Sequence, residues 1–284
     1  MPHYRIAGQN IFITCPVPEL EYLQTTGGKK KPLAFPFDAS PNLVWRLDGF
    51  VGGRIRQVEV SSLPNGNLLK VDGGSDVFIS QNGAQIVHNG ETDELSALDR
   101  EILSGPALVL ALASHKTFCL HASAAQFGGQ VFVFLGESGQ GKSTLAAYLS
   151  TQGKRDWTRV ADDILPVTAA SSHAEACPRY PQLKLPPASQ PGTRLPEWIP
   201  IRGFFLLQTS PAGDSPGTQR LPLGQAVQKL IAHTAGARLF DPRLLADHLA
   251  FSSRTAQLAP VYTLSFPRRK NALPTVKELL ENLC

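Results

Sequence analysis

The chain has 284 residues, 42% of them hydrophobic, with a formal net charge of +4 and a pI near 8.9. That is enough material for one large or two modest domains with a full core. The mild basicity suits an acidic ligand but lacks the concentrated basic face of a nucleic-acid binder. No apolar run exceeds Ala107 to Ala113, far short of the roughly 20 residues a membrane helix needs. The N-terminus carries no signal pattern, and the four scattered cysteines read as reduced thiols. A soluble, cytoplasmic protein with neither nucleic acid nor membrane as partner is the expectation.

Residues 1–90 read as a small β-rich region. Asn10–Cys15, Leu43–Leu47, Gln57–Val60, Asp76–Ser80 and Gln85–His88 look like strands, separated by Gly27-Gly28, Gly52-Gly53, Asn65-Gly66 and Asp72-Gly73-Gly74. Asn82-Gly83 between two such runs is a hairpin signal. Trp45, Phe78 and His88 are expected in the core or on strand faces. Residues 91–116 change to helical spacing and read as a connector of two helices, or one that breaks, at Gly105-Pro106.

Residues 117–284 read as a nucleotide-binding catalytic domain. Thr117–Phe127 is expected to be one strand that turns at Gly128-Gly129 into the apolar strand Gln130–Leu135, which puts His121 and Ser123 next to that strand. Immediately after it, Gly136-Glu137-Ser138-Gly139-Gln140-Gly141-Lys142-Ser143 fits G-x-x-x-x-G-K-[ST]. Leu145, Tyr148 and Leu149 then follow at helical spacing, with Gly153 as the stop. Strand, glycine loop and helix is the order a phosphate site needs. Glycines let consecutive N–H groups converge on phosphate oxygens, and the helix N-terminus adds favourable partial charge. Lys142 should reach the β- and γ-phosphates and Ser143 should ligate Mg²⁺.

A carboxylate near the loop completes such a site, and Trp157–Val167, read as one strand, supplies Asp162 and Asp163. Adjacent strand residues face opposite ways, so both can act only where the strand ends. Downstream, Tyr180–Pro187, Gly203–Leu207, Ala226–Ala232, Pro242–Phe251 and Val261–Phe266 read as strand or helix pieces, and Leu273–Leu283 as a terminal helix. Lys184, Arg194, Arg202, Arg238 and Arg243 are candidates for a transition-state charge. The clusters Lys29-Lys30-Lys31 and Arg268-Arg269-Lys270 read as solvated loop charge. The chain lacks the LSGGQ signature of transporter ATPases and the N-K-x-D of GTPases.

His121-Ala122-Ser123-Ala124, the loop Gly136 to Thr144, and Val160-Ala161-Asp162-Asp163 together resemble the catalytic domain of the HPr kinase/phosphorylase family, over about 45 contiguous residues. Gly203–Leu207 and Pro260–Pro267 are similar to later strands of related proteins. The resemblance implies an α/β fold of α+β character. Its core would be a P-loop kinase of the phosphoenolpyruvate-carboxykinase type, with a mixed sheet, preceded here by the β-rich region. It implies ATP and Mg²⁺ as cofactors, His121 as an active-site histidine, and an aspartate pair split between base and metal. On that pattern Asp162 is expected as the base and Asp163 at the metal.

The β-rich region differs from the N-terminal domain of full HPr kinases. Ile199–Gln208 also lacks the second glycine and acidic ligand of the family's later signature. The better match is therefore the branch that phosphorylates serines of peptides, lasso precursors among them, or free serine, and a reverse phosphorylase activity is not implied. A peptide or small-protein serine is the expected acceptor. A small-molecule hydroxyl, or a nucleotide sensor that transfers nothing, is the alternative. The resemblance also allows a homo-oligomer.

Overall fold

The computed structural model describes residues 2–26, 33–36, 40–90, 94–152, 156–182 and 195–283. The lysine run Lys29-Lys30-Lys31, the Gly27-Gly28 turn, the helix stop at Gly153, the basic candidates Lys184 and Arg194, and the second half of Tyr180–Pro187 lie outside them. The chain divides into two units, Met1–Thr117 with Gly236–Asp247, and Phe118–Ala235 with His248–Cys284. Among the described residues no helix is long and apolar enough to cross a membrane.

Among the described residues the first unit holds eight strands: β1 (His3–Ile6), β2 (Gln9–Ile13), β3 (Gln24–Thr25), β4 (Leu43–Val51), β5 (Arg54–Leu63), β6 (Gly66–Val71), β7 (Val77–Ser80) and β8 (Gln85–His88). They form one sheet in the order β3-β1-β2-β8-β7-β6-β5-β4. From β4 to β8 it is a meander of hairpins, as the glycine punctuation predicts. Gly52 and Gly53, at φ 62° and 74°, close β4 onto β5 in the left-handed geometry a two-residue hairpin needs. Phe78 and His88 are buried, while Trp45 is half-buried.

Helices α1 (Ala97–Ile102) and α2 (Leu108–Ser114) belong to this unit. Pro106 does not break the run between them. It sits in a π-helical turn, Leu103–Ala107, which absorbs the lost N–H without ending the helix.

The second unit comprises β9 (Phe118–His121), β10 (Ser123–Phe127), β11 (Gln130–Leu135), α3 (Lys142–Gln152), β12 (Thr158–Ala161), β13 (Ile164–Ala169), β14 (Ala174–Ala176), β15 (Ile199–Ser210), β16 (Gly217–Arg220), α4 (Leu223–Ala232), most of α5 (Pro242–Leu258), β17 (Val261–Pro267) and α6 (Leu273–Glu281). The sheet is mixed and forks on β15. One branch runs β12-β10-β11-β15-β17-β16, with β11 and β17 parallel to β15; the other runs β15-β14-β13-β9. Leu145, Ala146 and Leu149 of α3 and Val276 and Leu280 of α6 bury their apolar stripes in one core with Phe132, Phe134 and Phe205. Phe127, Trp157, Phe132, Phe205 and Tyr262 continue through it as a run of ring contacts, 4.9–5.6 Å between centroids.

Two expected strands are each split. Thr117–Phe127 breaks at Ala122, and Trp157–Val167 breaks at Asp162-Asp163. The breaks face each other: Ala124 pairs with Ala161 on one side and His121 with Ile164 on the other, and the Ala122 N–H donates to the Asp163 carbonyl at 3.0 Å between them. A two-stranded ribbon thus turns a corner from one branch of the sheet into the other. Only Ser123 lies on the strand beside β11; His121 ends β9, whose partner is β13. Both arms of the corner are buried, so the apolar pattern runs through it without a mark.

Candidate active site

The corner lies beside the glycine loop. β11 ends at Leu135 and α3 begins at Lys142, and the loop between them takes Gly136, Gly139 and Gly141 to φ 149°, 79° and 93°. These conformations suit glycine alone. The Glu137 N–H bonds the Gln140 side chain at 3.0 Å, and a Cβ on Gly136 would meet that same Gln140 oxygen at 2.3 Å. Lys142 is 7% exposed, its ammonium donating to the carbonyls of Gly136 (2.6 Å) and Glu137 (3.1 Å). Backbone oxygen thus holds the lysine over the loop, an arrangement that phosphate oxygens can replace.

From Ser143 a short polar chain leads to the corner. Its hydroxyl lies 3.5 Å from that of the fully buried Ser123, which donates to Asp162 Oδ1 at 3.2 Å. With the Ser123 proton engaged there, Ser143 is the donor in the first contact. Asp162 Oδ1 also meets Arg159 Nη2 at 2.6 Å. Asp163 turns the other way, placing Oδ1 3.0 Å from His121 Nε2. Because β12 has ended, the two neighbouring carboxylates are directed to different partners at one site. Gln182, 1% exposed, accepts from the Asp162 N–H (2.8 Å) and donates to the Ile164 carbonyl (2.8 Å), pinning both ends of the bend.

The loop, His121 and the aspartate pair share one cleft of about 320 Å³. His121, Ser138 to Thr144, Asp162 and Asp163 face it, whereas Gly136 and Glu137 contribute the carbonyls that hold Lys142. The rest of the lining corrects one expectation. Arg268, Arg269 and Lys270 line the cleft, and Arg268 donates to the Gly139 carbonyl. Their position follows from topology: β11 and β17 flank β15 in parallel, so the segments leaving their carboxyl ends converge, as at ligand clefts of open α/β sheets. Of the residues put forward for a transition-state charge, Arg202, Arg238 and Arg243 are described, and none lines the cleft. Arg202 instead donates to the Leu283 carbonyl, and Arg238 and Arg243 belong to the first unit.

His233, which the sequence did not single out, accepts the His121 N–H on its carbonyl at 2.8 Å. Burial lowers the pKa of its imidazole, an effect opposed by Glu137 and reinforced by Lys142, His121 and Lys229. No group of three or more His, Cys, Asp and Glu side chains is placed to hold a metal among the described residues. The donors beside Ser143 are hydroxyl and carboxylate oxygens, a set that fits a hard cation arriving with phosphate oxygens of its own.

The chain matches no protein-family model and no curated protein. Among solved structures it is similar to the Hpr(Ser) kinase/phosphatase from Coxiella burnetii, at 14% identity, with 58% of this chain and 94% of that one covered and a TM-score of 0.34. A superposition that loose gives no role to any residue.

Proposed function

We propose that the chain is an ATP- and Mg²⁺-dependent kinase that phosphorylates a serine hydroxyl of a peptide or small protein. One observation carries the reading: the glycine loop with its buried lysine, the split aspartate pair and His121 open onto the same cleft. A loop alone would serve any nucleoside triphosphatase. Carboxylates with separate partners beside it suit transfer to a hydroxyl, which needs both a counter-cation for phosphate and an acceptor for a proton.

Loop N–H groups bind the β- and γ-phosphates, and Lys142 exchanges the Gly136 and Glu137 carbonyls for phosphate oxygens. Ser143 and Asp162 would hold Mg²⁺, which would supply charge neutralisation for the transferred phosphate. The contacts argue for exchanging the aspartate roles expected from the sequence. Asp162 connects through Ser123 to Ser143, whereas Asp163 pairs with His121. Asp163, oriented by His121, takes the serine proton as the new O–P bond forms and the bond from the γ-phosphorus to the β-phosphate oxygen breaks, leaving phosphoserine and ADP. Arg268, Arg269 and Lys270 supply positive charge to the cleft beside the loop.

The test is transfer of label from γ-labelled ATP to a serine peptide, with free serine alongside and a Lys142→Ala control. Labelled peptide is the expected product. Label on free serine alone would select the small-molecule reading. Nucleotide bound with label on neither acceptor would select a sensor.

A further inference from the structure

Arg159 does not belong to the loop, the aspartate pair or the cationic wall, yet it is built into the site. In the β10–β12 ladder Ala124 faces Ala161 and Ala125 faces Arg159, so Val160 is an extra residue, a bulge. Bulges turn a strand and re-aim the side chains beside them. Here the neighbouring arginine places Nη2 2.6 Å from Asp162 Oδ1, with the two side chains 23% and 9% exposed.

The contact is not that of a structural Arg–carboxylate pair, which uses two parallel N–H donors. Arg159 Nε is buried with no hydrogen-bond partner, and the single contact to Asp162 is the guanidinium's only ion pair among the described residues. A guanidinium left with unmet donors costs stability.

Asp162 poses the complementary problem. A carboxylate that is 9% exposed and placed to receive a cation needs a positive partner whenever that cation is absent. Ser123, a neutral donor at 3.2 Å, cannot supply the charge. We propose that Arg159 is a positioning residue that acts as a resident cation: it occupies Asp162 between turnovers and yields the carboxylate to the divalent metal that enters with the nucleotide. This rests on the kinase reading above, specifically on Asp162 as the metal's carboxylate. Metal binding is then an exchange of one cation for another, weakened by the cost of releasing the guanidinium.

The experiment measures Mn²⁺ in place of Mg²⁺, with free and bound ion separated by electron paramagnetic resonance, on the full chain at saturating ADP. Arg159→Leu and Arg159→Gln should each bind Mn²⁺ about tenfold more tightly than wild type, the equivalent of about 1.4 kcal/mol, while Arg159→Lys stays within about threefold. The Mg²⁺ concentration that half-saturates label transfer should fall by the same factor in the Leu and Gln variants. A thermal melt of each variant checks folding, and the Gln and Lys variants carry the test if the Leu variant does not fold. Unchanged Mn²⁺ affinity in Arg159→Gln would overturn the inference. So would weaker affinity, which would make Arg159 an orienting partner that helps the metal. No Mn²⁺ binding by wild type at saturating ADP would overturn the kinase reading and this inference together, whereas binding by wild type and Arg159→Gln alike overturns the inference alone.

Discussion

Replacing Asp163 by asparagine separates the proposed chemistry from the fold. His121 Nε2 and Asp163 Oδ1 are 3.0 Å apart, but the histidine side chain is 44% exposed and the aspartate 20%. A histidine–carboxylate contact that open to solvent is worth less than about 1 kcal/mol. In a unit of this size the loss should lower the melting temperature by no more than about 2–4 °C. The effect on transfer is of a different order, since a positioned general base contributes about 10²- to 10⁴-fold in rate. Asp163→Asn should therefore cut label transfer to the peptide by about 10²- to 10⁴-fold, with nucleotide affinity within about threefold of wild type and the melt nearly unmoved. His121→Ala should cost less, and the double variant should be no slower than Asp163→Asn, because the two act as one unit. Transfer within tenfold of wild type in Asp163→Asn would refute the role of the dyad. A folded Asp163→Asn that cannot bind Mg²⁺·nucleotide would return Asp163 to the metal.

Three further outcomes are expected. Lys142→Ala removes the charge that phosphate would meet, and nucleotide affinity should drop by about 100-fold or more in isothermal titration; unchanged affinity would mean that the loop does not bind phosphate. Phe205, fully buried and stacked with Phe132 and Tyr262, should cost about 3–5 kcal/mol on replacement by alanine, measured as a fall in the denaturant midpoint; a loss under 1 kcal/mol would show that its neighbours collapse into the space. Burial lowers the pKa of His248, whose Nε2 bonds Thr234 at 2.8 Å, and of His88, where Asp99 partly opposes the shift. The unfolded chain then binds more protons than the native one below the ordinary histidine pKa. Stability should be full above about pH 6.5 and fall with acidification, by up to about 1.4 kcal/mol per pH unit for each histidine; a denaturant midpoint that is flat between pH 7 and 5 would contradict this.

What was legible in the residues is what short-range physics dictates. Gly136, Gly139 and Gly141 had to be glycine because of their own backbone angles, and Leu145 and Leu149 face the core because a helix repeats every 3.6 residues. The β7–β8 hairpin followed from Asn82-Gly83 in the same way. These features depend on neighbours a few positions away, so one sequence carries them.

The corner did not follow from any such rule. Ala122 and Asp162-Asp163 are a break only because two paired strands, some forty residues apart, leave one branch of the sheet together, and an apolar pattern buried on both arms reads the same whether it bends or not. Likewise Arg268, Arg269 and Lys270 are indistinguishable from solvated loop charge until β17 is known to run parallel to β15, which brings its carboxyl end to the glycine loop. Gln182 and Arg159 become members of the site only through a buried side-chain amide and a bulge. Composition and spacing determined the glycine loop and the presence of two acids nearby. Which carboxylate meets which partner, and which cations face them, was decided by strand pairing over long separations, because pairing sets direction and distance where sequence sets only order.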